Sequence, residues 1–219
     1  MRSSRNRYAA LFVCAGLLAV AVVPIALGST DVRGATNPIL NRLVLKGPQV
    51  GTGYKLVQRP DGHGARGYVT LDMCGFVFPS EDLRTDRLQV NYKRAGTAVE
   101  LSNEVVSYRP GGAAQALHEI GGAAAQCPKG PVPSNVKGLS ALTYRLTRLH
   151  TSGLLPGYVA FRAHVSGKFQ GKAFEDTSVI VYQRDGNILS AVYGHGGTLA
   201  SRTKTTLVAA RASARNLSG

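Results

Sequence analysis

The sequence predicts an α+β fold, a mostly antiparallel β-sheet packed with two main helices and held by one structural disulfide. Three observations predict it. Short runs of alternating apolar and polar residues follow one another with tight turns between them, as in antiparallel sheets. Two other segments repeat their apolar residues at helical spacing. Most connections are short, and none needs the long crossover that joins parallel strands.

The first 28 residues are a basic stretch followed by an apolar one. Arg2, Arg5 and Arg7 precede a nearly continuous apolar run that ends in small residues before Ser29. This order is typical of a secretory signal peptide, and about nineteen apolar residues are also long enough to remain as a membrane anchor. We therefore expect the chain to be exported. It would be secreted or anchored to the outer face of the cytoplasmic membrane.

The rest of the chain divides into a linker and one domain. Residues 29–52 are rich in Gly, Pro and Asn without sustained periodicity, which predicts a linker, and residues 53–219 predict one extracytoplasmic domain. After residue 28, 23 lysines and arginines face 12 acidic residues. This positive excess favours anionic partners such as acidic lipid head groups or wall polymers, although scattered charges also serve solubility alone.

Two cysteines fall in the exported part. Cys14 lies inside the apolar run, which leaves Cys74 and Cys127. An oxidising compartment favours a bridge between such a pair, and closing a loop of about 53 residues contributes about 4 kcal/mol in the chain-entropy model. We predict a structural disulfide. The alternative, a free or catalytic thiol, finds no nearby histidine that would obviously serve as its base.

The first half of the domain contains four strand-like runs. Residues 54–74 hold two of them around a Pro-Asp-Gly turn, and Ser80 follows as a predicted helix N-cap. The next two are RLQVNYK and TAVELSNEVVSY. In the latter, Leu101 and Val105 alternate with Glu104, which we assign to the solvated face of a half-buried strand.

Residues 113–127 change to helical spacing. Their apolar members recur at steps of four and three, namely Ala113, Leu117, Ile120, Ala124 and Cys127. Because Cys127 lies on this stripe, a bridge to Cys74 would attach the helix to the sheet. Four more strand-like runs lie between residues 144 and 194, with a tight turn at Asp185-Gly186, and an amphipathic helix covers residues 198–215.

Two glycine-rich stretches resemble phosphate-binding loops without the context that such loops need. GHGARG at residues 62–67 matches G-x-G-x-x-G, but a strand-like run follows where a helix is required. Pro-Gly-Gly at residues 110–112 precedes a helix, but the lysine and Ser/Thr of a nucleotide loop are missing. We interpret the first as a hairpin loop and the second as a turn, and we predict no cofactor.

No catalytic motif is evident, so we predict a protein that is not an enzyme. His118-Glu119 begins like a zinc-protease motif, but Gly122 stands at the second ligand position, and no metal site or catalytic residue is assigned. A triad or a carboxylate pair could still be assembled in space, which keeps a cell-envelope hydrolase as the alternative. A structural protein-interaction module is the third hypothesis. Nucleic acid is not expected as a partner.

Two stretches carry a resemblance to a known family. LDMCGFVFPSED with RLQVNY, and LSNEVVSYRPGGAAQALHEI with the following Cys-Pro, resemble a group of exported actinobacterial proteins described as sensor-domain-containing. These are similar to the extracellular sensor domain of mycobacterial protein kinase H. The resemblance covers residues 53–215 and implies an extracytoplasmic α+β domain that binds an envelope ligand in a cleft without catalysis.

This chain also departs from that kinase. Its 219 residues leave no room for a kinase domain before the apolar segment, so we expect any signal to pass through a membrane or envelope protein partner. Its exported cysteines allow one disulfide where the kinase sensor domain has two. The ligand and cleft residues of the family are therefore not transferred.

Four arginines are the candidate ligand-binding residues. The planar guanidinium fork suits phosphate or carboxylate, and the positive charge of the domain favours an anionic envelope ligand. Taken singly, each is also typical of solvated surface charge. The candidates are Arg84, Arg87, Arg109 and Arg162.

Overall fold

The structure is a computed structural model and describes residues 37–58, 69–96 and 99–219. Within these ranges the chain forms a seven-stranded antiparallel sheet with helices on both faces, so the α+β prediction is confirmed. The strands are β1 (Tyr54–Gln58), β2 (Arg84–Arg94), β3 (Glu100–Tyr108), β4 (Leu139–Arg148), β5 (Val159–Phe169), β6 (Lys172–Asp185) and β7 (Ile188–His195). The helices are α1 (Pro38–Leu43), α2 (Gly47–Val50), α3 (Gly112–Ala125) and α4 (Leu199–Ser218), with a short 3₁₀ helix at Pro79–Leu83.

The strand order is β1-β2-β3-β7-β6-β5-β4, and every neighbouring pair is antiparallel. Consecutive strands pair within two blocks, β1–β3 and β4–β7, which join where β3 lies beside β7. The connection from β3 to β4 must therefore cross the second block, and α3 lies on that connection. Gly111, with φ of +82°, makes the turn between β3 and α3, in the left-handed region that glycine adopts without strain.

The sheet face that α3 covers, here called the α3 face, holds the larger apolar core. Leu117 and Ile120 of α3 pack there against Val106 and residues of β5 to β7. Cys74 and Cys127 are joined, with their Cα atoms 5.1 Å apart, so the predicted disulfide is confirmed.

The residues leading to Cys74 differ from their prediction as a strand. Thr70, Leu71 and Asp72 are buried but lie outside the sheet. Leu71 packs into the apolar core, while Asp72 accepts hydrogen bonds from the Ser134 hydroxyl and the Asn135 N–H, 3.1 Å away for the latter. The pattern that predicted a strand therefore belongs to a segment that packs against the sheet without pairing with it. GHGARG lies outside the described residues.

The opposite face, here called the α4 face, is covered by α1, α2 and α4. The structure differs here from the predicted linker, because residues 37–52 contain both short helices and contribute to the core. Leu40 and Leu45 are buried, and the Leu45 N–H donates to Asn103 Oδ1 of β3 at 2.9 Å. The apolar residues of this segment are spaced too irregularly to reveal a helix, yet they fill the space beside α4.

The predicted signal peptide or anchor at residues 1–28 lies outside the described residues and stays a prediction. In the described ranges, no helix combines the length and the apolarity that crossing a membrane requires.

Candidate functional site

The α3 face is polar at its β2–β3 end, where the sequence predicted a solvated surface. Glu104 was assigned to the water-facing side of β3, and this is wrong, because its side chain is completely buried. Alternation along a strand separates two faces but does not say which face is covered. Ser102, Asn103 and Glu104, three consecutive polar residues between apolar ones, were the signal that polar groups occupy buried positions here.

Every carboxylate oxygen of Glu104 is engaged by a neighbouring side chain. Its Oε1 accepts from Arg87 Nε of β2 and from Thr70 Oγ1, the latter at 2.9 Å. Its Oε2 accepts from the Tyr193 hydroxyl at 3.3 Å. Arg87 is nearly as buried and also donates to Gln89, so its charge is compensated within the fold. A buried pair held in this way has a positional role, because both carboxylate oxygens are already engaged within the fold.

A second acidic group, Glu81, lies beside this pair. Its Oε2 accepts the Thr70 N–H at 3.0 Å and lies 3.2 Å from Arg84 Nη2, and Arg84 also donates to Thr70 Oγ1 at 2.7 Å. Burial raises the pKa of Glu81 to about 7. The positive charge of Arg84 opposes this rise, and the negative charge of Glu104 adds to it. Glu81 Oε1 is buried and has no hydrogen-bond partner among the described residues.

A pocket opens on the same face, between β4–β7 and the segment that carries Asp72. It encloses about 460 Å³ of empty space, part of which is open to solvent. Apolar side chains form most of its wall, and Asp72 and three tyrosines are its polar members. The lining residues are Asp72, Met73, Leu139, Leu142, Tyr144, Leu146, Phe161, Ala163, Val165, Ile180, Tyr182 and Tyr193. We call this the tyrosine pocket.

The polar end of the tyrosine pocket is continuous with the buried charges. The hydroxyls of Tyr182 and Tyr193 lie 3.5 Å apart, and Tyr193 reaches Glu104. The Tyr108 hydroxyl is also buried nearby, without a hydrogen-bond partner in the described part of the chain. Burial, with the charges of Glu81 and Glu104, raises the pKa of Tyr108, so it stays a neutral phenol. The pocket thus combines apolar walls with tyrosine hydroxyls at one end.

The same face holds an oriented imidazole. His195 Nδ1 lies 3.2 Å from Asp176 Oδ2, and the register of β6 and β7 places Ser178 beside His195. These are the residue types of a hydrolytic triad. His195 and Ser178 are, however, at most 1% exposed, and neither lines the tyrosine pocket. Elsewhere among the described residues, no three His, Cys, Asp or Glu side chains group as metal ligands.

The four candidate arginines do not form one site. Arg84 and Arg87 lie close together on β2, but each contacts a carboxylate of the α3 face. Arg109 is exposed in the turn before α3, and Arg162 projects from β5 on the α4 face. The tyrosine pocket was not predicted, because its lining comes from strands whose order in the sheet the sequence does not reveal.

No protein-family model matches the chain, and no curated protein matches it either. Among solved structures, the extracellular domain of PknH from Mycobacterium tuberculosis matches with 14% sequence identity and a TM-score of 0.47, covering 82% of this chain and 95% of that one. The fold resembles that domain. The predicted resemblance to a kinase sensor domain is confirmed as a structural similarity. At this identity it describes the fold alone, and no ligand or residue role passes from PknH to this chain.

Proposed function

We propose that this chain is a non-enzymatic, extracytoplasmic domain that binds a ligand of the cell envelope in the tyrosine pocket. The observation that carries the proposal is the pocket itself, with apolar walls and a few convergent hydroxyls at one end. That combination is typical of sites for small molecules, which pair apolar walls with a few polar groups that orient the ligand. The disulfide between Cys74 and Cys127 supports an exported location, since such bridges persist in oxidising compartments.

The lining favours an apolar ligand with an uncharged polar group. Neither Arg84 nor Arg87 lines the pocket, and each contacts a carboxylate of the α3 face instead. The one acidic group in the wall, Asp72, would repel a carboxylate or phosphate. The net charge predicted an anionic ligand. For this pocket we propose instead an acyl or prenyl chain that ends in a hydroxyl or amide.

Two features argue against an enzyme. Both oxygens of Glu104 are occupied within the fold, so it cannot act as a base or nucleophile without breaking its own contacts. His195 and Ser178 are sealed from solvent. A general base must come within hydrogen-bond reach of its substrate, which this burial prevents. The hydrolase hypothesis therefore becomes an outcome of the test below.

A sensor-like role also requires that occupancy change a surface that a partner can recognise. Met73 lines the tyrosine pocket and is followed directly by Cys74, whose bridge leads to the end of α3. A ligand that displaces Met73 would therefore act on the position of α3. We propose that a membrane or envelope protein contacts this region.

Tryptophan fluorescence tests the site, because the chain has no tryptophan of its own. Tyr144→Trp places the reporter in the pocket wall, and Thr147→Trp places a matched reporter on the other face of β4. We expect 1-dodecanol to shift the emission of Tyr144→Trp saturably and to leave Thr147→Trp unchanged, with dodecanoate binding more weakly. Equal responses of both variants, or none, would overturn the proposal.

Two further measurements separate binding from its alternatives. Ala163→Leu, added to the Tyr144→Trp chain, fills part of the pocket. It should weaken dodecanol binding about tenfold, because the larger side chain takes the space of about two methylenes of the ligand. p-Nitrophenyl dodecanoate tests catalysis. Turnover that is abolished by His195→Gln would replace the binding proposal by the hydrolase.

A further inference from the structure

Two arginines lie near each other on the α4 face, away from the tyrosine pocket. Arg162, Val179 and Gly194 lie side by side in one row across β5, β6 and β7. Adjacent strands are about 4.8 Å apart, so Arg162 starts about 10 Å from Gly194. Arg202 of α4 crosses over Gly194, with its Cγ 3.3 Å from the place that a Cβ there would occupy. Two long cationic side chains therefore share one small region.

Each of these arginines has a buried nitrogen without a partner. Arg202 Nε donates to the Gly196 carbonyl at 2.8 Å and Nη2 donates to that of Gly197 at 3.0 Å, which fixes the plane of its guanidinium. Its Nη1 is buried and has no acceptor among the described residues, and the residue as a whole is only 7% exposed. Arg162 Nε is likewise buried without an acceptor in the described ranges. Buried polar groups in native proteins almost always find partners, and an orphaned charged donor is costly.

The charge of this region is not balanced by the surrounding side chains. In the described ranges, no carboxylate lies within 4 Å of either guanidinium. Burial lowers the pKa of Arg202, the charge of Asp176 opposes this shift, and the charge of Arg162 adds to it. Asp176 is itself engaged with His195 on the other face of the sheet. A buried water would satisfy a donor here but would leave the positive charge uncompensated.

We propose that Arg162 and Arg202 bind an oxyanion of the phosphate class. Guanidinium groups present planar donors that match phosphate oxygens, and α4, twenty residues long, directs its positive end to this side of the sheet. The neighbouring edge strand β4 exposes Arg145 and Thr147 on the same face, with Thr147 directly beside Arg162. This anion site is separate from the tyrosine pocket and does not depend on the function proposed for it.

Equilibrium dialysis of the full chain against inorganic phosphate, at constant ionic strength set with chloride, tests the site. We expect saturable binding that sulfate displaces. Arg162→Gln should weaken it about tenfold or more, because a hydrogen bond to a charged group is lost. Arg215→Gln is the matched control, since it removes the same charge from the exposed far end of α4. Arg162→Lys should recover only part of the affinity.

Vesicles distinguish the source of the phosphate. If phosphatidylglycerol vesicles, but not phosphatidylcholine vesicles, bind the chain in a manner that Arg162→Gln abolishes and Arg215→Gln does not, the site takes a lipid head group. If only inorganic phosphate shows this dependence, the ligand is a free phosphate. Absence of saturable binding, or equal losses in Arg162→Gln and Arg215→Gln, would overturn the proposal. Binding of 1-dodecanol to Arg162→Gln should be unchanged in every case.

Discussion

Glu81 is an acidic residue whose charged form is disfavoured by burial. Its side chain is 20% exposed, and burial raises its pKa from an ordinary value of 4.5 to about 7. The folded state therefore binds the Glu81 proton more tightly than the unfolded chain does. The resulting stabilisation is complete below pH 4.5 and is lost as the pH rises through 7.

Replacing Glu81 by Gln should remove this pH dependence. Raising the pKa from 4.5 to about 7 corresponds to about 3 kcal/mol at most, and partial exposure reduces this to about 2 kcal/mol. We expect the free energy of unfolding to fall by about this amount between pH 4.5 and 8 in the parent chain, relative to Glu81→Gln. Urea unfolding at four pH values measures it. Asp82→Asn, at the exposed next position, should keep the parent slope, and a parent-like slope in Glu81→Gln would contradict the argument.

At the scale of elements, the sequence predicted the positions of the strands better than it predicted which residues cover them. Strand-like runs located β1 to β7 and helical spacing located α3 and α4, because these patterns are local. It did not show that Glu104 is covered, since that depends on Thr70 and Tyr193, which the chain brings in from elsewhere. The same limit applies to the tyrosine pocket and to the Arg162–Arg202 pair. Both exist only because strands distant in sequence are neighbours.

Gly194 sets how closely α4 approaches β7. A Cβ at this position would lie 1.9 Å from Thr206 Oγ1, which is fixed by donating to the Arg202 carbonyl at 2.8 Å. Gly194→Ala should therefore destabilise the fold by about 1–3 kcal/mol through overpacking, as measured by urea unfolding. Adding Thr206→Ala removes the clashing oxygen and leaves a Cβ at 3.2 Å, so the double variant should recover part of the loss relative to Thr206→Ala alone. Purely additive losses would show that the contact does not limit the approach.

Over the whole molecule, the sheet separates the two candidate ligand sites. The tyrosine pocket lies on the α3 face and the arginine pair on the α4 face, and the two faces have separate apolar cores. The linker prediction for residues 29–52 placed the start of the domain at residue 53. In the structure, however, residues 37–52 complete the α4-face core beside the end of α4, so they contribute to the stability of the domain.

A chain that starts at Gly53 should therefore fail to fold cooperatively, whereas one that starts at Asn37 should fold. The missing segment contributes five buried apolar side chains: Leu40, Leu43, Val44, Leu45 and Val50. At about 1.5–3 kcal/mol for each, their loss rivals the whole stability of a typical domain, about 5–15 kcal/mol. The loss also removes hydrogen-bond partners, since the buried Tyr92 donates to the Leu45 carbonyl at 2.8 Å and the half-buried Asn216 donates to that of Leu43 at 3.0 Å. Urea unfolding monitored by circular dichroism compares the two chains. Equal urea midpoints for the two chains would support the linker prediction and place the domain boundary at residue 53. A segment that can be removed without effect does not contribute to the cooperative transition.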